Sequence, residues 1–98
     1  MKAINKQFLS KGYRFKQIHR DGVFAVYERL RVGTNRKHYE VIKIQSHNGY
    51  SIAGKAYPAS EYYPSSRDWG TSGFTYLSKR ESFEKIDKMT QAESGKES

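Results

Sequence analysis

The chain has 98 residues, 36% apolar and 14% aromatic, with a formal charge of +8. That length holds one core and excludes a second domain. The absence of cysteine excludes disulfides and thiolate metal or redox sites within it.

The charge is uneven. Residues 1–50 hold 11 Lys/Arg against three Asp/Glu, while residues 51–98 hold seven of each. A basic half of this kind attracts polyanions, because cations meet phosphates and release their counterions. The plainer account is that the charge serves solubility. Met1–Lys6 leads into no apolar run, so no secretory signal is expected. No stretch approaches the roughly 20 apolar residues of a membrane span. The cytoplasm is the default location.

In chain order, residues 3–11 read as a short helix with Ile4, Phe8 and Leu9 on one side, ended by Gly12. From Tyr13 the pattern changes to period two, and a strand runs to His19. Asp21-Gly22 is a strong hairpin signal. The next strand, Val23 to Arg31, is rich in β-branched and aromatic residues. Val32–Asn35 reads as a turn, Lys37–Ser46 as a third strand, Asn48-Gly49 as a further turn, and Tyr50–Ile52 as a weak fourth strand. Residues 54–76 are broken by Gly54, Pro58, Pro64, Gly70 and Gly73 yet carry six rings, which predicts an ordered irregular segment packed on the sheet. A last strand is predicted at Gly73–Leu77.

Ser78-Lys79-Arg80-Glu81 has the form of a capping box. Phe83, Ile86 and Met89 follow at helical spacing, predicting a helix over 79–90. The fold expected is therefore α+β: an antiparallel meander of four to five strands, packed by a C-terminal helix and a short N-terminal helix. Residues 1–92 form the domain and 93–98 a polar, disordered tail.

An amphipathic sheet covered by one helix leaves its other face wet. The more apolar sets, Phe24/Val26/Leu30 and Ile42/Ile44, are assigned to the helix. The opposite face then carries Tyr27, Arg29, Tyr39 and Lys43, joined by Arg14 and Lys16 if Tyr13 and Phe15 point inward. Rings interleaved with cations suit single-stranded nucleic acid, where bases stack and phosphates meet Lys and Arg. These six residues are the candidate nucleic-acid surface. The plainer account is ordinary outward residues of a strand, since β-propensity alone favours Tyr there.

No catalytic or metal constellation stands out. His19, His38 and His47 are scattered and lack the spacing of convergent ligands. Neither a phosphate-binding glycine loop nor a dinucleotide fingerprint is present. Glu61 and Asp68 flank an aromatic stretch and admit acid–base work. More simply, Asp68 caps the turn into Trp69-Gly70 and Glu61 pairs with an arginine. No enzyme, cofactor or metal is expected.

The stretches Tyr39–Ile44, Ile52–Lys55, Glu61–Ser66, Trp69-Gly70 and Gly73–Tyr76 resemble a family of small uncharacterised proteins encoded by bacteriophages and prophages. The likeness spans roughly residues 13–86 and is sharpest over Pro64–Tyr76. Relatives often carry an alanine-rich helix after the Thr-Tyr step, whereas this helix is charged. The resemblance implies a phage setting, with the host-cell cytoplasm as the location, and no known chemistry. Tyr62, Tyr63, Trp69 and Phe74 either pin the long segment to the sheet or form a protein-binding surface. Two functions follow: binding of nucleic acid or a nucleoprotein complex, or modulation of a host protein. An edge strand free to pair with a second copy also admits a homodimer.

Overall fold

The computed structural model describes residues 1–96. Five antiparallel strands form the main sheet: β1 (Gln7–Ser10), β2 (Tyr13–Asp21), β3 (Phe24–Arg31), β4 (Lys37–Lys43) and, from much later in the chain, β9 (Gly73–Tyr76), in the order β1-β2-β3-β4-β9. Between β4 and β9 the chain leaves the sheet as a bent hairpin arm. Its base is the pair β5 (Gln45–His47) and β8 (Ser60–Tyr62), and its outer part is β6 (Tyr50–Ile52) and β7 (Lys55–Tyr57). A 3-10 turn at Ser66–Asp68 leads back to β9, and α1 (Lys79–Lys96) closes the described chain.

The α+β class and the C-terminal helix match expectation. Ser78 caps α1 as the sequence indicates: Glu81 N–H donates to its Oγ at 3.2 Å, and Ser78 Oγ lies 3.0 Å from Glu81 Oε1. The helix runs beyond Thr90 to Lys96, so most of the expected tail is helical, and residues 97–98 lie outside the described residues.

The N-terminal helix is absent. Residues 7–10 instead form an edge strand paired to β2, with Gln7 opposite Lys16 and Ser10 opposite Tyr13. Lys11 and Gly12 both have positive φ, 51° and 85°, so the glycine that reads as a helix stop is the second residue of a tight hairpin turn. Two further expectations fail. Tyr50–Ile52 is not a fourth strand of the meander, because it pairs only with β7 in the arm. Lys37–Ser46 is not one strand either, because the ladder to β3 ends at Lys43 and Gln45 begins the arm.

Both faces of the sheet are covered. On one side α1 lies across β3, β4 and β9. Ile86 packs there with Phe24, Val26 and Val41, flanked by Ile18, Tyr39, Phe83 and Met89. On the other side the cluster is Phe15, Ala25, Tyr27, Ile42 and Ile44. It is covered by the N-terminal segment through Ile4 and by the return segment through Tyr63 and Trp69. The two covering pieces are tied together: Lys2 N–H donates to the Ala59 carbonyl at 3.0 Å, and Glu61 N–H to the Lys2 carbonyl at 2.8 Å.

A bulge in β2 sets the hand of these contacts. Gln17 pairs with Tyr27 but His19 pairs with Val26, so Ile18 is the extra residue. Ile18 and His19 both serve the helix side, with His19 edge-on to Phe83 at 5.3 Å. Arg20 is thereby turned to the opposite side. There its guanidinium grips Glu61 through Nη1 at 2.9 Å and Nη2 at 2.7 Å. Glu61 Oε1 also accepts from Ile4 N–H at 3.1 Å. The Arg20 bond first, and the Ile4 N–H second, hold the Glu61 carboxyl down at about 2.

Among the described residues no helix is long and apolar enough to cross a membrane.

Candidate functional site

The six residues expected to share a wet face do not share one. Tyr27 is fully buried under the return segment; its hydroxyl donates to the Asn5 carbonyl at 2.7 Å and accepts from Gln17 Nε2 at 3.0 Å. Arg29 is on the same side as Tyr27. Cross-strand register places Tyr39 opposite Glu28, and Lys43 opposite Phe24. It pairs Arg14 with Leu30 and Lys16 with Glu28. These four residues therefore belong to the helix side. Tyr39 is half-buried against the core there, while Arg14, Lys16 and Lys43 are exposed. The assumption of a free face fails because the second half of the chain returns to cover it. The face assignment holds for β3, where Phe24 and Val26 meet the helix and Tyr27 is opposite, and fails for β4. Val41, not Ile42 or Ile44, faces the helix beside Val26.

The four rings of the return segment are likewise divided. Tyr63 and Trp69 lie over the sheet. Phe74 is on the helix side, with Lys85 Nζ 4.2 Å from its ring centre. Tyr62 stands exposed on the arm near His47 and Tyr50.

What the fold assembles instead is a cleft of about 460 Å³ between the β1–β2 end of the sheet and the return segment. Tyr13, Phe15, Tyr63 and Trp69 line it with rings, and Arg29 and Glu40 are at its polar end. Phe15 stacks on Phe8 at 4.6 Å and meets Tyr63 edge-on at 5.8 Å. Trp69 runs nearly parallel to Tyr63 at 6.3 Å.

Each wall is locally fixed. Asp68 holds the 3-10 turn by accepting from Ser65 N–H at 3.2 Å and Ser65 Oγ at 3.1 Å, so its side chain reaches back to the start of that turn and not forward into Trp69-Gly70. Trp69 lies flat over Gly73, where an added Cβ would meet its ring at 2.3 Å. Its indole N–H donates to Thr75 Oγ1 at 2.9 Å. Gly73 is therefore required by the ring above it.

The polar end is a buried chain of three groups. Glu40 is 4% exposed. Its Oε2 accepts from Arg29 Nη1 at 2.9 Å, and its Oε1 from the Tyr63 hydroxyl at 2.5 Å. Burial first, and the Glu40 charge second, push the Tyr63 phenol far above its usual range, so it stays protonated and donating. The Arg29 guanidinium lies 4.8 Å from the Tyr13 ring centre. Its Nε is buried without a partner among the described residues, an uncommon state for such a group.

Besides Arg29, one cation lines the cleft and others lie close to it in sequence or register. Lys11 lines the cleft, and Ser66, which also lines it, is followed by the exposed Arg67. Arg31 is the cross-strand partner of Tyr13. Its N–H reaches the Arg36 carbonyl, and Val32 N–H donates to the Gly12 carbonyl at 3.0 Å, so the two turns carrying Lys11 and Arg36 sit together. None of Lys11, Arg31, Arg36 and Arg67 is in an ion pair with another described residue.

Arg29, Tyr63 and Trp69 are thus legible from sequence as functional candidates, though not as neighbours. Tyr13, Lys11, Arg31 and Glu40 are missed. A signal exists for Glu40, a carboxylate amid the apolar run Tyr39–Ile44, which marks a buried pair when its strand is covered on both faces; Lys11, Tyr13 and Arg31 carry none.

Among the described residues no group of His, Asp and Glu is placed to hold a metal. No family model matches the chain, and no curated protein or solved structure matches it.

Proposed function

We propose that this chain is a non-enzymatic nucleic-acid-binding module, and that it binds through the ring-lined cleft and its cationic mouth rather than through an open sheet face. The observation that carries this is a cleft lined by four rings with Lys11 and Arg29, with Arg31 paired in register to Tyr13 and the exposed Arg67 next to Ser66 at its edge. Rings give sequence-tolerant stacking and cations follow the backbone, the combination that single strands require. A duplex offers its phosphates to the same cations but hides its base faces, so single strands are preferred.

The test is fluorescence anisotropy with labelled single- and double-stranded DNA and RNA across a salt series. Affinity that falls steeply with salt and favours single strands supports the reading. Equal weak binding to every polyanion refutes it. Lys43→Glu, on the opposite side, should leave binding unchanged, whereas Arg31→Glu with Arg36→Glu should abolish most of it.

A second reading is favoured by one observation. The arm exposes Tyr50, Ile52, Tyr57 and Tyr62, with Tyr50 and Tyr57 stacked at 4.9 Å. Exposed apolar rings on a protruding hairpin suit contact with a protein. That is the host-protein modulator of a phage or prophage setting. Under it, Tyr50→Ser with Tyr57→Ser removes partner capture and spares nucleic-acid affinity.

A further inference from the structure

We propose that this chain pairs with a second copy of itself edge to edge through β9, in antiparallel register about a two-fold axis at Tyr76. The inference is independent of what the cleft binds.

The main sheet has two edges, β1 and β9. An edge strand presents unpaired backbone groups, and charge is a common means of keeping such edges apart. β1 is guarded in that way. The exposed Lys6 and Lys11 bracket it, and an antiparallel copy would bring Lys6 of one chain toward Lys11 of the other. From Gly73 to Ser78, by contrast, the chain carries no charge.

The free backbone groups of β9 can be assigned. Lys43 N–H donates to the Ser72 carbonyl at 2.9 Å. By antiparallel alternation the ladder to β4 therefore uses the backbone of Ser72, Phe74 and Tyr76. The Gly73 carbonyl faces the other way and is taken by Gly70 N–H at 2.7 Å. The Thr75 carbonyl and the Leu77 N–H face the same way as that carbonyl, and neither has a backbone partner among the described residues. Both residues are exposed, Leu77 by 77%. An antiparallel copy completes these groups reciprocally: Leu77 N–H of each chain donates to the Thr75 carbonyl of the other, and Tyr76 meets Tyr76 across the axis.

The helix beside this edge carries charges that match the same axis. Glu81, Glu84, Lys85 and Lys88 line one hollow with Tyr76. Their spacing puts them on one flank of α1, acidic toward its start and basic toward its end. A two-fold axis perpendicular to the sheet sets the two helices antiparallel. Glu81 and Glu84 of one chain then lie toward Lys88 and Lys85 of the other. A flank that is its own complement when reversed is what an isologous contact requires. Glu84 already meets Arg80 at 3.2 Å, but that pair is exposed and contributes little. The result is one continuous sheet, five strands from each copy, with both clefts opening on the same side.

The experiment measures the mass of the full chain by light scattering after gel filtration, loaded at up to about 1 mM, the weak end of specific association. A dimer should appear, and it should weaken with salt because its charge pairs are exposed. Glu81→Lys with Glu84→Lys, and separately Lys85→Glu with Lys88→Glu, should each raise the dissociation constant about tenfold or more, since every exposed attraction across the axis becomes a repulsion. An equal mixture of the two variants should dimerise again, which also shows that both fold. Leu77→Pro removes an outward N–H and nothing from the ladder to β4, and should dissociate the dimer. Leu9→Pro, the matching change on β1, should not.

A chain that stays monomeric over the whole series overturns the proposal. A dimer that survives both charge reversals and Leu77→Pro also overturns it, as does one that Leu9→Pro dissociates, because each places the contact elsewhere.

Discussion

The two faces of this sheet are closed by different means. The helix side is sealed by one regular element whose apolar stripe meets Phe24, Val26 and Val41. The opposite side is closed by two irregular pieces, residues 2–6 and the return through Tyr63 and Trp69. A helix stripe fills its contact continuously. Irregular straps touch down at anchors and leave space between them, and the cleft is that space. The anchors are also polar: Tyr27, Glu40, Tyr63, Arg20 and Glu61 all form hydrogen bonds on the strapped side. Stability should therefore rest on dispersion and burial on both sides, with the strapped side depending in addition on paired polar groups.

The contrast is tested most severely by opening one buried bond on the strapped side. Glu40→Ala leaves Arg29 uncompensated and the Tyr63 hydroxyl without its acceptor. The expected loss is about 3–5 kcal/mol, the usual scale for breaking a buried pair, read by urea denaturation. Adding Arg29→Met should restore part of it. If Glu40→Ala alone costs as little as a surface change, the polar chain is not what closes this side.

The helix side predicts a different signature. Ile86, 1% exposed, fills the centre of its cluster. Ile86→Ala should cost about 2–5 kcal/mol through a lost transfer term and a cavity. Nucleic-acid affinity per folded molecule should not change, because the residue is separated from the cleft by the sheet. A coupled loss of affinity in native conditions would contradict that separation.

Much of this is readable in the sequence and some is not, for reasons that follow from particular residues. The turns at Asp21-Gly22 and Val32–Asn35 and the cap at Ser78 rest on local backbone chemistry, and each forms where the sequence puts it. The strands expected at Val23–Arg31 and Gly73–Leu77 likewise form, as Phe24–Arg31 and Gly73–Tyr76. The faces do not follow from alternation, because β3 and β4 do not alternate: Phe24-Ala25-Val26-Tyr27 and Val41-Ile42 are buried in unbroken runs. Such runs mean coverage on both sides, and they weigh against a wet face. Lys11-Gly12 misleads because glycine after an apolar stretch serves a helix end and a hairpin equally well. The cleft itself joins Tyr13 to Trp69 across the whole domain, a pairing that no local pattern encodes.

A smaller effect tests how the return segment is seated. Gly73→Ala forces a methyl into the Trp69 ring, and overpacking of that kind costs about 1–3 kcal/mol. The ring must leave its bed over β9, so Trp69 emission should shift to the red. The helix side should be indifferent. An unchanged emission spectrum would mean that the ring is not held by Gly73.

The weakest effect concerns the clasp between the two straps, and its sign can be worked out. Glu61 has its carboxyl lowered from 4.5 to about 2 in the folded chain by Arg20 and the Ile4 N–H. A group whose folded value is depressed binds its proton more weakly in the folded state than in the unfolded one. Its contribution is therefore full above about 4.5, shrinks as the pH falls through that window, and is gone below about 2. The pair is partly exposed, so screening keeps the contribution to about 1 kcal/mol or less. Thermal midpoints of the native chain and of the Glu61→Gln variant should differ by a few degrees at pH 6 and converge as the pH is lowered toward 2. The same convergence should appear on adding salt at pH 6, because an exposed clasp is screened. Midpoints that stay equal at every pH would place the seating of the straps in their backbone bonds and in Ile4, with the Arg20–Glu61 pair a passenger. A gap that persists to pH 2 would instead mean that the amide of the Glu61→Gln variant fails for lack of hydrogen-bond geometry and not for lack of charge.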